Sequence, residues 1–281
     1  MNNPRQPPAR PPLRYFGGKW QLADWIMQYF PRHKIYVEPF GGGASVLIQK
    51  PPSFLDVYND VNGEVVNFFK VLRDRESELI RAIELTPYSR EEHRLSKCLI
   101  AESDLERARR FYVWSWQGRG RGGARLQGGW RFMRGDKRHN TTVYDWNNFD
   151  HLWSVAWRLK QCQIECKDAL SVIKSYDGPD TLFYIDPPYL KDTRGKKNGK
   201  LTGKQQYACD FTDEQHSALA AALHSIKGMA ILSGYDSLIY DSLYPDWMKV
   251  RKEVQKDNDA GKATEFLWIS PNCRHINLFN Q

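Results

Sequence analysis

An apolar run of strand type, TLFYI at 181–185, ends in one acid, two prolines and a tyrosine: Asp186, Pro187, Pro188 and Tyr189. Proline cannot continue a sheet, and a carboxylate at a strand tip is costly to desolvate unless it is used. These four residues suit one task. The exocyclic amine of a nucleobase is a poor nucleophile because its lone pair is shared with the ring. The Asp186 carboxylate would accept a hydrogen bond from one amine N–H and the Pro187 carbonyl from the other, leaving the lone pair aimed at an electrophile. Proline rigidity fixes the carbonyl's direction. Tyr189 would stack on the base, a contact worth on the order of 1–3 kcal/mol. In a duplex the base must first leave the stack.

A second chemical signal lies upstream. YVEPFGGGASV at 36–46 has the pattern strand, glycine turn, helix start, and Gly41, Gly42 and Gly43 allow close backbone approach to a ligand. Asp60 follows Gly41 by 19 residues, at the end of the next strand-like run, where an acid can accept from both hydroxyls of a ribose. A dinucleotide site would place a third glycine at position 46, which is Val46, and no G-K-[ST] group is present. A ligand with ribose and adenine but no pyrophosphate fits better, namely S-adenosylmethionine. Glu38 stands at the carboxyl end of the same strand, where open α/β sheets bind ligands. LRYFGGKW at 13–20 is another glycine turn, in which Lys19 could reach a ligand carboxylate as a point charge.

Other chemistries lack their residues. No Pro-Cys pair offers a nucleophile for attack on a cytosine ring carbon, and the seven histidines form no H-x-x-x-H or H-E-x-x-H group. Cys162 and Cys166 would stand about 13 Å apart on a strand, too far to share a metal. No metal is therefore expected. Five cysteines, an odd number, fit a reducing compartment better than a disulfide framework. No run of eighteen apolar residues suggests a membrane span, and the first fifteen residues lack a signal-type apolar stretch.

The elements that must position these groups follow from periodicity. Strand-like runs occupy 34–40, 53–58, 162–166, 181–186, 229–234 and 264–270, several of them continuously apolar as in strands buried on both faces. Between some of them lie helical stripes. One joins Val61, Val65, Phe68, Phe69 and Leu72; another joins Leu219, Leu223 and Ile226 behind a Thr212–Gln215 capping box. The alternation predicts an α/β fold on a mainly parallel sheet. It fails between about 75 and 150, where helix-like charged stretches (76–85 and 90–110) lead into a segment with six glycines among residues 118–129. This reads as a mostly helical insert carrying a basic loop. From Glu106 to Arg138 ten Lys or Arg face two acids, and from Lys191 to Lys204 six face one. Basic patches this concentrated are the footprint of phosphate binding. Five prolines among the first twelve residues predict a flexible tail over 1–12.

In order, LRYFGGKW, YVEPFGGGASV, YNDVN, IECKDAL and FYIDPPYL resemble the Dam-like, alpha-group DNA adenine-N6 methyltransferases. The likeness covers roughly 13–75 and 155–270. It implies a Rossmann-like, seven-stranded methyltransferase sheet over 13–75 and 151–281, with a target-recognition domain inserted at 76–150. It implies that Tyr15, Lys19 and the loop from Glu38 to Ser45, including Phe40 and the three glycines, contact the methyl donor. Asp60 would hold the ribose, Asp186 would lie against both donor and amine, and Tyr189 would meet the base. The family's F-x-G-x-G reads Phe40-Gly41-Gly42-Gly43-Ala44 here, so Gly43 is expected to supply the turn that the missing last glycine would have made.

The insert does not reproduce the recognition pattern of GATC readers, so no target sequence is carried over. Arg119, Arg121, Arg125 and Arg131 are candidates for guanine edges or phosphates, and Lys196 and Lys197 for phosphates. The implied partner is double-stranded DNA in a bacterial or phage-infected cytosol, with a monomer sufficient. Cytosine-N4 or RNA-base methylation, or a catalytically silent DNA binder, stay open as alternatives; the aspartate at position 186 leans towards adenine.

Overall fold

The computed structural model describes residues 7–98, 103–119, 129–132, 141–189, 196–197, 200–201, 211–255 and 262–274. The strands are β1 (Ile35–Glu38), β2 (Leu55–Asn59), β3 (Cys162–Glu165), β4 (Thr181–Ile185), β5 (Lys196–Lys197), β6 (Lys200–Leu201), β7 (Met229–Gly234), β8 (Met248–Gln255) and β9 (Lys262–Ile269). Seven of them form one sheet in the order β3-β2-β1-β4-β7-β9-β8, while β5 and β6 pair separately. From β3 to β7 the strands run parallel, and β9 is antiparallel to both its neighbours. The order reverses at β1 and β4, whose carboxyl ends carry Glu38 and Asp186. Open α/β sheets bind ligands at such a switch point.

The central strands are apolar runs because both faces are covered: every residue of β4 and of β7 is buried. β8 was not foreseen. It is an edge strand in which Val250 and Val254 alternate with exposed Lys249, Arg251 and Glu253, so it carries no apolar run.

The helices are α1 (Ala23–Met27), α2 (Ser45–Gln49), α3 (Gly63–Asp74), α4 (Glu76–Glu84), α5 (Arg90–Leu95), α6 (Asp104–Gln117), α7 (Thr141–Trp146), α8 (His151–Leu159), α9 (Ala169–Tyr176), α10 (Asp213–Ser225), α11 (Leu238–Leu243) and α12 (Pro271–Arg274). The capping box of α10 is present, with Thr212 and Gln215 bonded reciprocally. Two helix expectations need correction. Val61 is exposed ahead of α3, because Asn62 is the N-cap, its side chain accepting from the Glu64 N–H. The stretch 90–110 is two helices, each started by its own serine cap, Ser89 and Ser103.

One apolar core covers the first face of the sheet. It joins Tyr36 and Tyr58 of the sheet to Phe68 and Phe69 of α3, Ile80 of α4, Tyr112 of α6 and Trp146 of α7. Helices α4, α6 and α7, from the stretch read as an insert, thus share their core with the sheet. The opposite face packs Val37, Phe183 and Trp268 against α9, α10 and α11. Residues 7–12, expected within the flexible tail, are packed. The Arg10 guanidinium lies 3.8 Å from the centre of the Trp116 ring, and the Pro12 carbonyl accepts from Trp116 Nε1 at 3.1 Å.

Candidate active site

The loop after β1 is held by its own backbone and by two side chains from β2 and its exit. Gly41 N–H donates to Asn59 O at 2.7 Å, the Tyr58 hydroxyl donates to Gly42 O at 2.8 Å, and Gly42 N–H donates to Asp60 Oδ2 at 2.8 Å. Asp60 Oδ1 accepts from Asn62 N–H, also at 2.8 Å. Oδ2 therefore clamps the loop while Oδ1 holds the turn into α3, and both retain lone pairs for a ligand. Burial raises the Asp60 pKa, against the two backbone donors that lower it. The turn is not made by Gly43. The left-handed residues are Gly42 (φ 47°) and Ala44 (φ 53°), which caps α2. Gly43 is needed for space: a Cβ there would fall 2.8 Å from the Tyr15 Cβ.

This loop lines a cavity of about 230 Å³. All ten residues assigned to the methyl donor border it: Tyr15, Lys19, Glu38, Phe40, Gly41, Gly42, Gly43, Ser45, Asp60 and Asp186. Of the other strand-tip residues Pro188 borders it, whereas Pro187 and Tyr189 do not. Glu38 is 2% exposed, and burial pushes its carboxyl up to about 8 despite a hydrogen bond from the Tyr36 hydroxyl at 2.7 Å.

Asp186 extends β4 by one residue. The register that sets Ile185 beside Leu232 brings it to Ser233. Ser233 Oγ donates to Asp186 Oδ1 at 2.8 Å, and Lys19 Nζ donates to Oδ1 and Oδ2, both at 3.0 Å, and to Gly17 O at 3.0 Å. Lys19, expected to face a ligand carboxylate, thus spends its charge on Asp186. Its ammonium also lies 4.8 Å from the centre of the Tyr189 ring. Tyr189 is buried edge-on against Tyr235 at 4.6 Å, and its hydroxyl donates to Glu265 Oε2 at 3.2 Å. Burial raises the Glu265 pKa; the Lys19 charge lowers it, and that of Asp186 raises it.

Sequence reasoning missed Ser233, Glu265 and Tyr184 around Asp186, and Asp168, Phe211 and Gln215 on the cavity wall. A signal existed for Glu265. It is an acid inside the apolar run TEFLWIS, the same anomaly that drew attention to Asp186.

The residues proposed for DNA are less uniformly placed. Arg119 is exposed, its guanidinium 4.7 Å from the centre of the Phe132 ring, and its N–H bonds Gly129 O at 2.8 Å. Arg131 is half-buried and bonds Asp145 Oδ2 at 3.4 and 3.5 Å, so its charge is already paired. Arg90, not anticipated, lies 4.7 Å from the Trp130 ring centre and 5.2 Å from that of Phe132. Arg121 and Arg125 lie outside the described residues; Lys196 and Lys197 form β5, with their side chains undescribed. Among the described residues there is no cluster of metal-ligating side chains and no helix long and apolar enough to cross a membrane.

A sheet of this order, with a glycine loop after β1 and an acid-Pro-Pro-Tyr turn after β4, defines a Rossmann-like methyltransferase. Residues 15–101 and 132–256 match the family described as D12 class N6 adenine-specific DNA methyltransferase, and the chain belongs to that family. It is 24% identical over 294 residues to the type II methyltransferase M1.LlaDCHI of Lactococcus lactis subsp. cremoris, covering 92% of this chain and 94% of that protein. It is 26% identical over 194 residues to the DNA N-6-adenine-methyltransferase of Escherichia phage P1, and 30% identical over 70 residues to the DNA adenine methylase of Escherichia coli K12. These matches cover 66% and 25% of this chain, and each spans only 25% of the relative's length.

Proposed function

We propose that the protein transfers a methyl group from S-adenosylmethionine to adenine N6 in double-stranded DNA, acting on a base turned out of the stack. One observation carries the reading: the Asp60 clamp, the glycine loop and Asp186 border a single cavity. The residues fit the donor. Asp60 and the loop suit a ribose, the neighbouring Glu38 suits a cationic group, and a Cβ at Gly41 would run into the Tyr58 ring, as expected of a loop built for close approach. When bound, S-adenosylmethionine supplies an electrophilic methyl on a sulfonium.

The chain's part is to orient the amine. Asp186 accepts one N–H and Pro187 O the other, so the lone pair aims at the methyl. One N–C bond forms as one S–C bond breaks, the donor leaves as a neutral thioether, and one amine proton is released. Tyr189 supplies the stacking face once Lys19 or Tyr235 gives way. Residues 76–150 serve as the target-recognition region, with Arg119 at the DNA.

Incubation with labelled donor and duplex DNA, followed by nucleoside digestion, tests the reading. Labelled N6-methyl-2′-deoxyadenosine supports it; a methylated deoxycytidine, or no product, refutes it. Asp186→Ala should abolish turnover and leave DNA affinity within about twofold, since the flipped base is the one part of the DNA that the carboxylate would meet.

A further inference from the structure

Two hydroxyls behind Asp186 settle which of its oxygens is free. An ionised carboxylate only accepts, so the Ser233 proton must point at Asp186 Oδ1, 2.8 Å away. The Ser233 oxygen then accepts from the Tyr184 hydroxyl at 3.1 Å. Both side chains are buried, Ser233 at 1% and Tyr184 at 4% exposure, and Tyr184 also borders the cavity. Each carboxylate oxygen offers about two acceptor sites. Among the described residues, Oδ1 takes Ser233 and Lys19, whereas Oδ2 takes Lys19 alone. The carboxylate side chain is still 18% exposed, so one part of it remains reachable.

We propose that Ser233, polarised by Tyr184, is a positioning residue for methyl transfer. It saturates Oδ1 and locks the carboxylate plane, so that Oδ2 is the oxygen presented to the target amine. The two hydroxyls form a directed chain, Tyr184 to Ser233 to Asp186, running from the core to the reacting edge. Donation from Tyr184 strengthens the Ser233 donor, as in any cooperative hydrogen-bond series. Without Ser233 the carboxylate could rotate about Lys19, and the amine would meet it in the wrong plane. This inference rests on the amine-methylation reading above.

Single-turnover methyl transfer to duplex DNA at saturating S-adenosylmethionine tests it, with donor affinity by calorimetry and thermal melting alongside. Ser233→Ala should lower the transfer rate about tenfold to a hundredfold, the loss expected for one hydrogen bond to a charged group, with donor Kd nearly unchanged and a modest drop in melting temperature, from the Tyr184 hydroxyl left without its acceptor, that Tyr184→Phe relieves in the double variant. Tyr184→Phe should lower it by about threefold. In the Ser233→Ala background Tyr184→Phe should have no further effect on the rate, because its hydroxyl acts only through the serine. A merely structural role would give additive losses that follow the melting temperature. A Ser233→Ala protein as fast as wild type, or a Tyr184→Phe penalty that persists undiminished in the double variant, overturns the inference alone. Wild-type protein that yields no methyladenine overturns the functional reading and this inference with it.

Discussion

Replacing Glu38 by Gln tests the electrostatics of the cavity. Glu38 ends β1 on the cavity wall, and burial raises its carboxyl from 4.5 to about 8. At about 1.36 kcal/mol per pKa unit, that shift corresponds to roughly 5 kcal/mol between the protonated and ionised native states. The native protein holds the proton to a higher pH than the unfolded chain does. The stabilisation is therefore complete below the unfolded value and lost as pH rises through about 8. Gln keeps an acceptor for the Tyr36 hydroxyl but cannot titrate. Urea unfolding at intervals from pH 5 to 8.5 should show the stability of wild type relative to Glu38→Gln falling by about 2–4 kcal/mol, the lower figure allowing for relaxation of the site. Two parallel stability curves would refute the burial argument. A cation bound beside Glu38 should also expel its proton. Donor binding at pH 7 should then release protons, detected as a dependence of calorimetric heat on the buffer's ionisation enthalpy; the Gln variant should release none from this site.

Asp60→Ala removes the acceptor of the Gly42 and Asn62 N–H groups and should weaken donor binding by about tenfold or more, measured by calorimetry; unchanged affinity would remove Asp60 from the donor site. Gly43→Ala should cost about 1–3 kcal/mol in urea unfolding and displace Tyr15, since the new methyl collides with it; a neutral result would show that the loop has slack. Arg119→Ala should weaken binding to all duplexes alike and reduce the salt slope by about one if the guanidinium meets phosphate; loss on one sequence only would make it a base reader.

Much of the site was legible because its chemistry conflicts with local structure. Three glycines in a row, a lysine beside a glycine pair and an acid before two prolines are poor choices for a strand or helix, and each reaches the cavity. The core strands were legible as apolar runs buried on both faces. What was hidden depended on pairing. Ser233 and Tyr184 look like ordinary strand residues until β4 and β7 lie in register. β8 was hidden because an edge strand needs only one apolar face. The role of Gly43 was misread because sequence shows that a glycine is present but not whether its use is a turn or room for a neighbour. Residues 7–12 read as a tail from their prolines, yet a single side chain, Arg10, anchors them on Trp116.

Among the described residues two ion clusters lie deepest, and their positions along the strands assign them different work. At the amino end of β2, Asp56 is fully buried and bonds Arg158 at 2.6 Å and Lys50 at 3.1 Å. Backbone and sulfur groups complete it: the Ser53 N–H donates to Asp56, and Cys162 Sγ accepts from Arg158. That carboxylate is fully buried, so its charge serves the fold, where removing one partner would strand the others at about 3–5 kcal/mol. The Lys19–Asp186 pair is the same chemistry at the carboxyl end of β4. There the acid borders the cavity and is 18% exposed, and one of its oxygens has an acceptor site left over. Parallel strands send all their carboxyl ends to one side. An acid one residue beyond a strand's last pair therefore faces the ligand cleft, and an acid one residue inside its first pair faces the core. Position along the strand, with the exposure that goes with it, and not residue type, separates the carboxylate that can meet a substrate from the one that cannot.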